Sequence, residues 1–139
     1  MKIGFTGTRE GMSHEQWLAV FDLLKPIAPF VTEFHHGDCV GADEEVHRIA
    51  LDLDIQNIIV HPPTSTILRA YCQGHKTLKP KDYTERNHDI VNASEYILAA
   101  PNTKNRQPRG GTWQTIGFAE KAKNLWRVVF PDGIVVEGC

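Results

Sequence analysis

Short apolar runs alternate with segments of helical periodicity along the whole chain, and this alternation restricts the fold more than any single motif. Lys2 to Gly7, about Thr32 to His36, Gln56 to Val60 and Tyr96 to Ala100 read as strands, the third short and β-branched enough for burial in a parallel sheet. Ser13 and Gln16 have capping-box spacing before a helix whose Trp17, Val20, Phe21 and Leu24 share a face, and Pro26 and Pro29 close it. Val46, Ile49, Ala50 and Leu53 mark a second helix, for which Asp43 is the expected N-cap. Thr84 is expected to cap a third, with Ile90, Val91 and Ser94 inward, and Thr112 to begin a fourth carrying Trp113, Ile116 and Ala119. Leu125 to Phe130, the turn Pro131-Asp132-Gly133 and Ile134 to Glu137 read as a strand, a turn and an antiparallel edge strand. The fold class that follows is α/β, a single three-layer domain over residues 1–139 with a mostly parallel sheet. Residues 64–83 interrupt the pattern with Gly74, Pro80 and many polar side chains, and a partly helical excursion acting as a lid is expected there.

Composition narrows the function. A length of 139 residues suits one domain, and a formal charge of -2 gives no bulk electrostatic grip on nucleic acid or an acidic membrane, so any anion must be held by local groups. Cys39, Cys72 and Cys139 are odd in number and widely spaced, which opposes both a disulfide framework and a CxxC zinc site. Neither a signal peptide nor an apolar run of about eighteen residues is read, and a soluble, cytoplasmic protein is the expectation.

Right-handed crossovers place the C-terminal ends of parallel strands on one edge, where ligands of open α/β sheets bind beside the reversal of strand order. The loops at Thr6 to Arg9, Gly37 to Asp43, His61 to Pro63 and Pro101 to Thr112 should therefore converge. If the first strand is central and Tyr96 to Ala100 lies beside it, Gly4-Phe5-Thr6-Gly7-Thr8-Arg9 and Pro108-Arg109-Gly110-Gly111-Thr112-Trp113 are neighbours across the crevice. Gly and Thr let backbone N–H groups approach an anion at a helix N-terminus, so these two loops read as a phosphate cradle.

Gly7-Thr8-Arg9 after the first strand, His36-Gly37-Asp38 with Gly41-Ala42-Asp43 after the second, Arg86-Asn87 on a helix, and Arg109-Gly110-Gly111-Thr112-Trp113 before the last helix together resemble the SLOG superfamily, more narrowly its small YspA-type members. The resemblance spans nearly the whole chain in order. It implies a Rossmann-like sheet that binds nucleotides or their derivatives, and a homo-oligomer. Relatives include LOG phosphoribohydrolases, DNA-processing DprA proteins and sensors of NAD-derived molecules, so membership does not fix a reaction. The LOG hydrolases carry a Pro-Gly-Gly-x-Gly-Thr-x-x-Glu pattern with a catalytic Glu; Thr115 stands at that place here, and Glu120 lies more than two helical turns from Thr112.

The leading expectation is thus a ligand-binding or sensor module. Gly7, Thr8, Arg9, Gly37, Asp38, Gly41, Asp43, Arg86, Asn87, Arg109, Gly110, Gly111 and Thr112 are its ligand-binding candidates. Arg9 and Arg109 suit phosphate, Asp38 and Asp43 suit either a ribose hydroxyl or the hold of a loop, and Trp113 suits either base stacking or the core. The alternative is a nucleotide N-glycosidic hydrolase or transferase with Asp38 or Glu85 as the catalytic acid. Single-stranded DNA binding is a weaker third reading, for want of excess Lys and Arg. No cofactor is implied. The run His35, His36, Asp38, Cys39, Asp43, His47 invites a metal, but His35 and His36 point to opposite faces of a strand and no metal is assigned.

Overall fold

In the computed structural model, which describes residues 1–107 and 110–138, the chain runs β1 (Lys2–Gly7), α1 (His14–Leu24), a 3-10 turn (Ala28–Phe30), β2 (Glu33–His36), α2 (Ala42–Asp52), β3 (Ile58–Val60), β4 (Lys76–Thr77), α3 (Tyr83–Asn92), β5 (Tyr96–Ala100), α4 (Gly111–Lys121), β6 (Leu125–Val129) and β7 (Val135–Gly138). The strands form one sheet in the order β4-β3-β2-β1-β5-β6-β7. All neighbours are parallel except β6 and β7, which pair antiparallel at the edge. The expected α/β, Rossmann-like class is therefore observed, with β1 and β5 side by side. Strand order reverses between them, because β2 to β4 lie on one side of β1 and β5 to β7 on the other.

The alternation of side chains along β5 divides the core. Tyr96, Leu98 and Ala100 pack with Val20 and Leu24 of α1 and Val46, Ile49 and Ala50 of α2, together with Ile3, Phe5 and Phe34 of the sheet. Ile97 and Ala99 face the other way, toward Ile90 and Val91 of α3 and Trp113, Ile116 and Ala119 of α4. Two helices thus cover each face of the sheet. At α1 the Ser13 hydroxyl accepts from the Gln16 N–H at 3.0 Å while the Gln16 side chain accepts from the Ser13 N–H at 3.2 Å, completing the capping box. Gln16 is buried, and its Nε2 donates to the carbonyls of Pro101 and Val129 at 2.7 Å each, tying the ends of β5 and β6 to α1.

Three local expectations need correction. Residues 64–83 form turns, isolated bridges and the two-residue strand β4, with helix beginning only at Tyr83. The N-cap of α3 is Asp82, two residues before Thr84. The N-cap of α2 is Gly41, in the left-handed region at φ 93°, so Asp43 falls in the first turn and its side chain does not cap the helix. A side chain at Gly41 would also run into the Arg9 carbonyl, which is why glycine occupies this corner.

Candidate functional site

A cleft of about 470 Å³ opens at the C-terminal edge of the sheet, over the ends of β1 and β5 where strand order reverses. It is lined by Thr6 to Glu10, Cys39, Asp43, Tyr83, Thr84, Arg86, Pro101, Asn102, Gln107 and Gly110 to Gln114. The loop after β1 is clamped on both sides. The Thr8 N–H donates to Ala100 at 3.0 Å, and the Thr8 carbonyl accepts from the Ala42 N–H at 2.9 Å. A Cβ at Gly7 would stand 2.5 Å from the Ala42 Cβ, so glycine permits the close approach of β1 to α2. Across the cleft, α4 begins at Gly111 with Gly110 as its N-cap, and among the described residues no side chain caps its first N–H groups. These groups and the helix dipole give the cleft a positive wall.

Arg86 is buried, and every bond it makes fixes its position. Its Nη1 donates to the Gly37 carbonyl at 2.6 Å and to Cys39 Sγ at 3.5 Å, and its Nε donates to Asn87 Oδ1 at 2.9 Å. Asn87 in turn donates to Gln114 at 3.3 Å, linking α3 to α4. The Tyr83 ring lies 5.2 Å from the guanidinium carbons of both Arg9 and Arg86. Asp43 Oδ2 accepts from the Cys39 N–H at 3.1 Å. Burial raises the Asp43 carboxyl from 3.8 to about 6, against the opposing pull of Arg86. Burial also pushes the Cys39 thiol up, leaving it in the unreactive form.

Among the described residues, three buried side-chain polar atoms have no hydrogen-bond partner: Asp43 Oδ1, the Tyr83 hydroxyl and Trp113 Nε1. All three residues line this one cleft. Orphaned polar atoms are rare in folded proteins, and the three found here belong to residues of one cleft.

The sequence candidates fall into distinct groups. Gly7, Thr8, Arg9, Asp43, Arg86, Gly110, Gly111 and Thr112 meet at the cleft. Gly37, Gly41 and Asn87 stand behind it and position the others. Asp38 is fully buried with φ 54°, and its carboxylate accepts from the Cys72 N–H at 2.8 Å and from Arg69 Nε at 3.2 Å, so it anchors the 61–82 segment outside the cleft lining. Glu85 is exposed on α3 beside Lys81 at 3.6 Å. Arg109 lies outside the described residues. Thr115 is fully buried and donates to the Gly111 carbonyl at 2.9 Å, while Glu120 pairs with Arg106. Tyr83, Cys39, Gln107 and Gln114 were not anticipated. Tyr83 could have been found from its spacing, one helical turn before Arg86.

The histidines separate as strand geometry requires. His35 Nε2 donates to Glu33 Oε1 at 2.9 Å, and His35 Nδ1 lies 2.7 Å from His61 Nε2. Burial lowers His61 to about 4, so it is neutral. His61 faces a second, smaller cleft with Leu78, Lys79, Lys81, Arg86 and Asp89 rather than the first. On the opposite face, possible ligand atoms of His36, His47 and Cys72 lie within 4.8 Å of one another. The Asp38 N–H donates to His36 Nδ1 at 3.0 Å, which leaves the ring proton on Nε2 to donate to His47 Nδ1 at 2.9 Å. Both nitrogens are thereby engaged within the protein, and burial holds the Cys72 thiol protonated.

No protein-family model matches the chain, and no curated protein matches it. Solved structures do. The molybdenum cofactor binding protein of the phototrophic bacterium Rippkaea orientalis superposes with a TM-score of 0.73 at 18% identity, over 93% of this chain and 76% of that one. The Moco carrier protein of Chlamydomonas reinhardtii gives 0.65 at 18% identity, over 94% and 75%. DNA processing protein A of Helicobacter pylori, described with a single-stranded DNA binding mode, gives 0.63 at 17% identity, over 92% and 64%. At these identities the likeness concerns the fold.

Proposed function

Taking the SLOG-type Rossmann-like fold as premise, we propose that this chain binds a nucleotide or nucleotide derivative in the cleft at the β1/β5 edge, as a ligand-binding or sensor module. That the residues bearing three orphaned polar atoms line the same cleft as the start of α4 carries this reading. Phosphate would sit on the backbone of Gly110 to Thr112 and of Thr6 to Arg9, with Arg9 and, from the sequence, Arg109 supplying charge-assisted bonds. Descriptions of two structural neighbours as molybdenum cofactor binding and carrier proteins support a small-molecule ligand. A cytoplasmic homo-oligomer belongs to the same reading. Among the described residues no helix is long and apolar enough to cross a membrane.

The test is a panel of AMP, CMP, GMP, UMP, NAD and ADP-ribose, followed by thermal shift with chromatography of the same samples. Stabilisation by at least one member without turnover is expected. Failure of every member to stabilise the protein would contradict the reading.

A second reading, nucleotide N-glycosidic hydrolysis or transfer, is favoured by one observation. Asp43 places a carboxyl near pKa 6 inside the cleft, suited to acid–base work near neutral pH. Release of free base in those samples would establish it, and intact nucleotide after prolonged incubation would exclude it.

A further inference from the structure

Each face of β2 carries a chain of hydrogen-bonded histidines, and the two chains end differently. On the α2 face the Asp38 N–H donates to His36 Nδ1 at 3.0 Å, His36 Nε2 donates to His47 Nδ1 at 2.9 Å, and His47 hydrogen-bonds the backbone of Gln73, so every ring nitrogen is satisfied within the protein. On the α3 face the order of donors is set by Glu33. Its bond to His35 holds the Glu33 carboxyl below the usual range, so it is ionised and can only accept, and burial keeps His35 neutral. His35 Nε2 therefore carries the ring proton, donated to Glu33 at 2.9 Å, and its Nδ1 offers a lone pair. Across the 2.7 Å contact His61 Nε2 must then be the donor, which leaves the lone pair of neutral His61 on Nδ1.

That lone pair is the open end of the chain. Among the described residues His61 Nδ1 makes no hydrogen bond and is not one of the buried unpartnered atoms, and His61 lines the second cleft, of about 240 Å³, between the 78–81 segment and α3. The same cleft holds Lys79, Lys81, Arg86 and Asp89. Asp89 is matched by Lys81 at 2.7 Å, while Lys79 has no ion pair among the described residues, so the cleft carries positive charge beyond what its one carboxylate offsets. An acceptor beside uncompensated cations suits few ligands. A cation is repelled by the lysines, a neutral donor leaves their charge unanswered, and a fully deprotonated anion sets its oxygen against the nitrogen lone pair. An anion that still carries a proton satisfies both demands, because its O–H donates to His61 Nδ1 while its charge lies beside Lys79.

We propose that the second cleft binds a small protonated oxyanion, hydrogen phosphate in type, with His61 Nδ1 accepting from the ion's O–H, Lys79 pairing with its charge and Glu33 fixing the His61 tautomer through His35. Glu33 and His35 are thus positioning residues. Arg86 lines both clefts, so the two sites adjoin, but this inference does not rest on the nucleotide reading. Sulfate has the shape and charge of hydrogen phosphate without its proton, and a phosphate monoester, whose second pKa is about 6, has lost its last proton at pH 8. The N–H groups at the start of α4 only donate and do not separate these ions, whereas His61 Nδ1 does.

Long-range proton–nitrogen spectra of the histidine rings test this in the full chain at pH 8, with inorganic phosphate, sulfate or methyl phosphate added at matched ionic strength. Before any addition, His35 and His61 are expected as Nε2–H tautomers. Inorganic phosphate is expected to shift His61 Nδ1 saturably, with an affinity at least about tenfold above that of sulfate or methyl phosphate at the same nucleus. Lys79 is exposed, and Lys79→Ala is expected to weaken the phosphate response about threefold without altering the tautomers. Glu33→Ala removes the acceptor that orders the chain, and it is expected to mix the His61 tautomers and lower the preference for phosphate over sulfate. An Nδ1–H tautomer of His61 in the wild type, an equal response to sulfate, or an unchanged midpoint in Lys79→Ala would each overturn the inference. Phosphate shifts confined to Trp113 and Gly7 to Arg9 would place the ion in the first cleft and overturn it too.

Discussion

Arg86 Nη1 donates to the Gly37 carbonyl oxygen at 2.6 Å, pinning the first turn of α3 across the end of β2. The bond explains how a buried guanidinium sits stably at the rim of the cleft. Its donors are held by backbone and by Asn87, and its charge faces Asp43. Arg86→Lys keeps the charge and loses the planar fork, so destabilisation of about 1–3 kcal/mol is expected in urea unfolding. An unchanged midpoint would contradict this role.

Asp43 links stability to pH in the sense opposite to most surface carboxylates. Its folded-state value is raised from 3.8 to about 6, so the folded protein holds this proton more tightly than the unfolded chain. Stability from this group is present below 3.8 and is lost as pH rises to about 6. Asp43→Asn, which cannot ionise, is expected to be more stable than the wild type at pH 8 by roughly 3 kcal/mol, most of the gap closing at pH 4. Thermal unfolding of both proteins across this range checks it, and a gap independent of pH would speak against a buried ionisable carboxylate.

Gly7 has no room for a side chain, since its Cβ would lie 2.5 Å from the Ala42 Cβ and 3.0 Å from the Phe5 ring. Gly7→Val must push α2 away from β1, and destabilisation of about 1–3 kcal/mol with weakened nucleotide binding is expected. Wild-type stability in this variant would show that the loop tolerates the volume.

Asp38→Ala removes the acceptor of the Cys72 N–H and of Arg69. The expected result is a loss of about 2–4 kcal/mol and faster amide exchange at Cys72 than elsewhere in the core. A purely global change in exchange would argue against a local anchor.

Periodicity was sufficient to locate β1 and β5 and to read the α1 capping box from Ser13 and Gln16, because these elements bury a regular apolar pattern or satisfy a local bond. β4 was not legible. Lys76 and Thr77 are exposed and polar, and they pair with β3 only through backbone groups, which leave no side-chain signature. From sequence, Asp38 was the carboxylate favoured for the site and Asp43 the one favoured as a helix cap, and the structure reverses these places. Left-handed Asp38 turns its side chain toward Arg69 and Cys72, and the Gly41 corner delivers Asp43 to the cleft. That division depends on backbone dihedrals, which composition and spacing do not encode.

The central claim is that one cleft, where β1 meets β5 and α4 begins, holds a nucleotide. An amide and indole N–H chemical-shift titration of the protein with AMP tests it most directly. The expected result is saturable shifts concentrated at Gly7 to Arg9, Asp43 and Gly110 to Trp113, with the Trp113 indole signal moving among the most. Shifts confined to other surfaces, or an unmoved Trp113 indole at saturation, would contradict it.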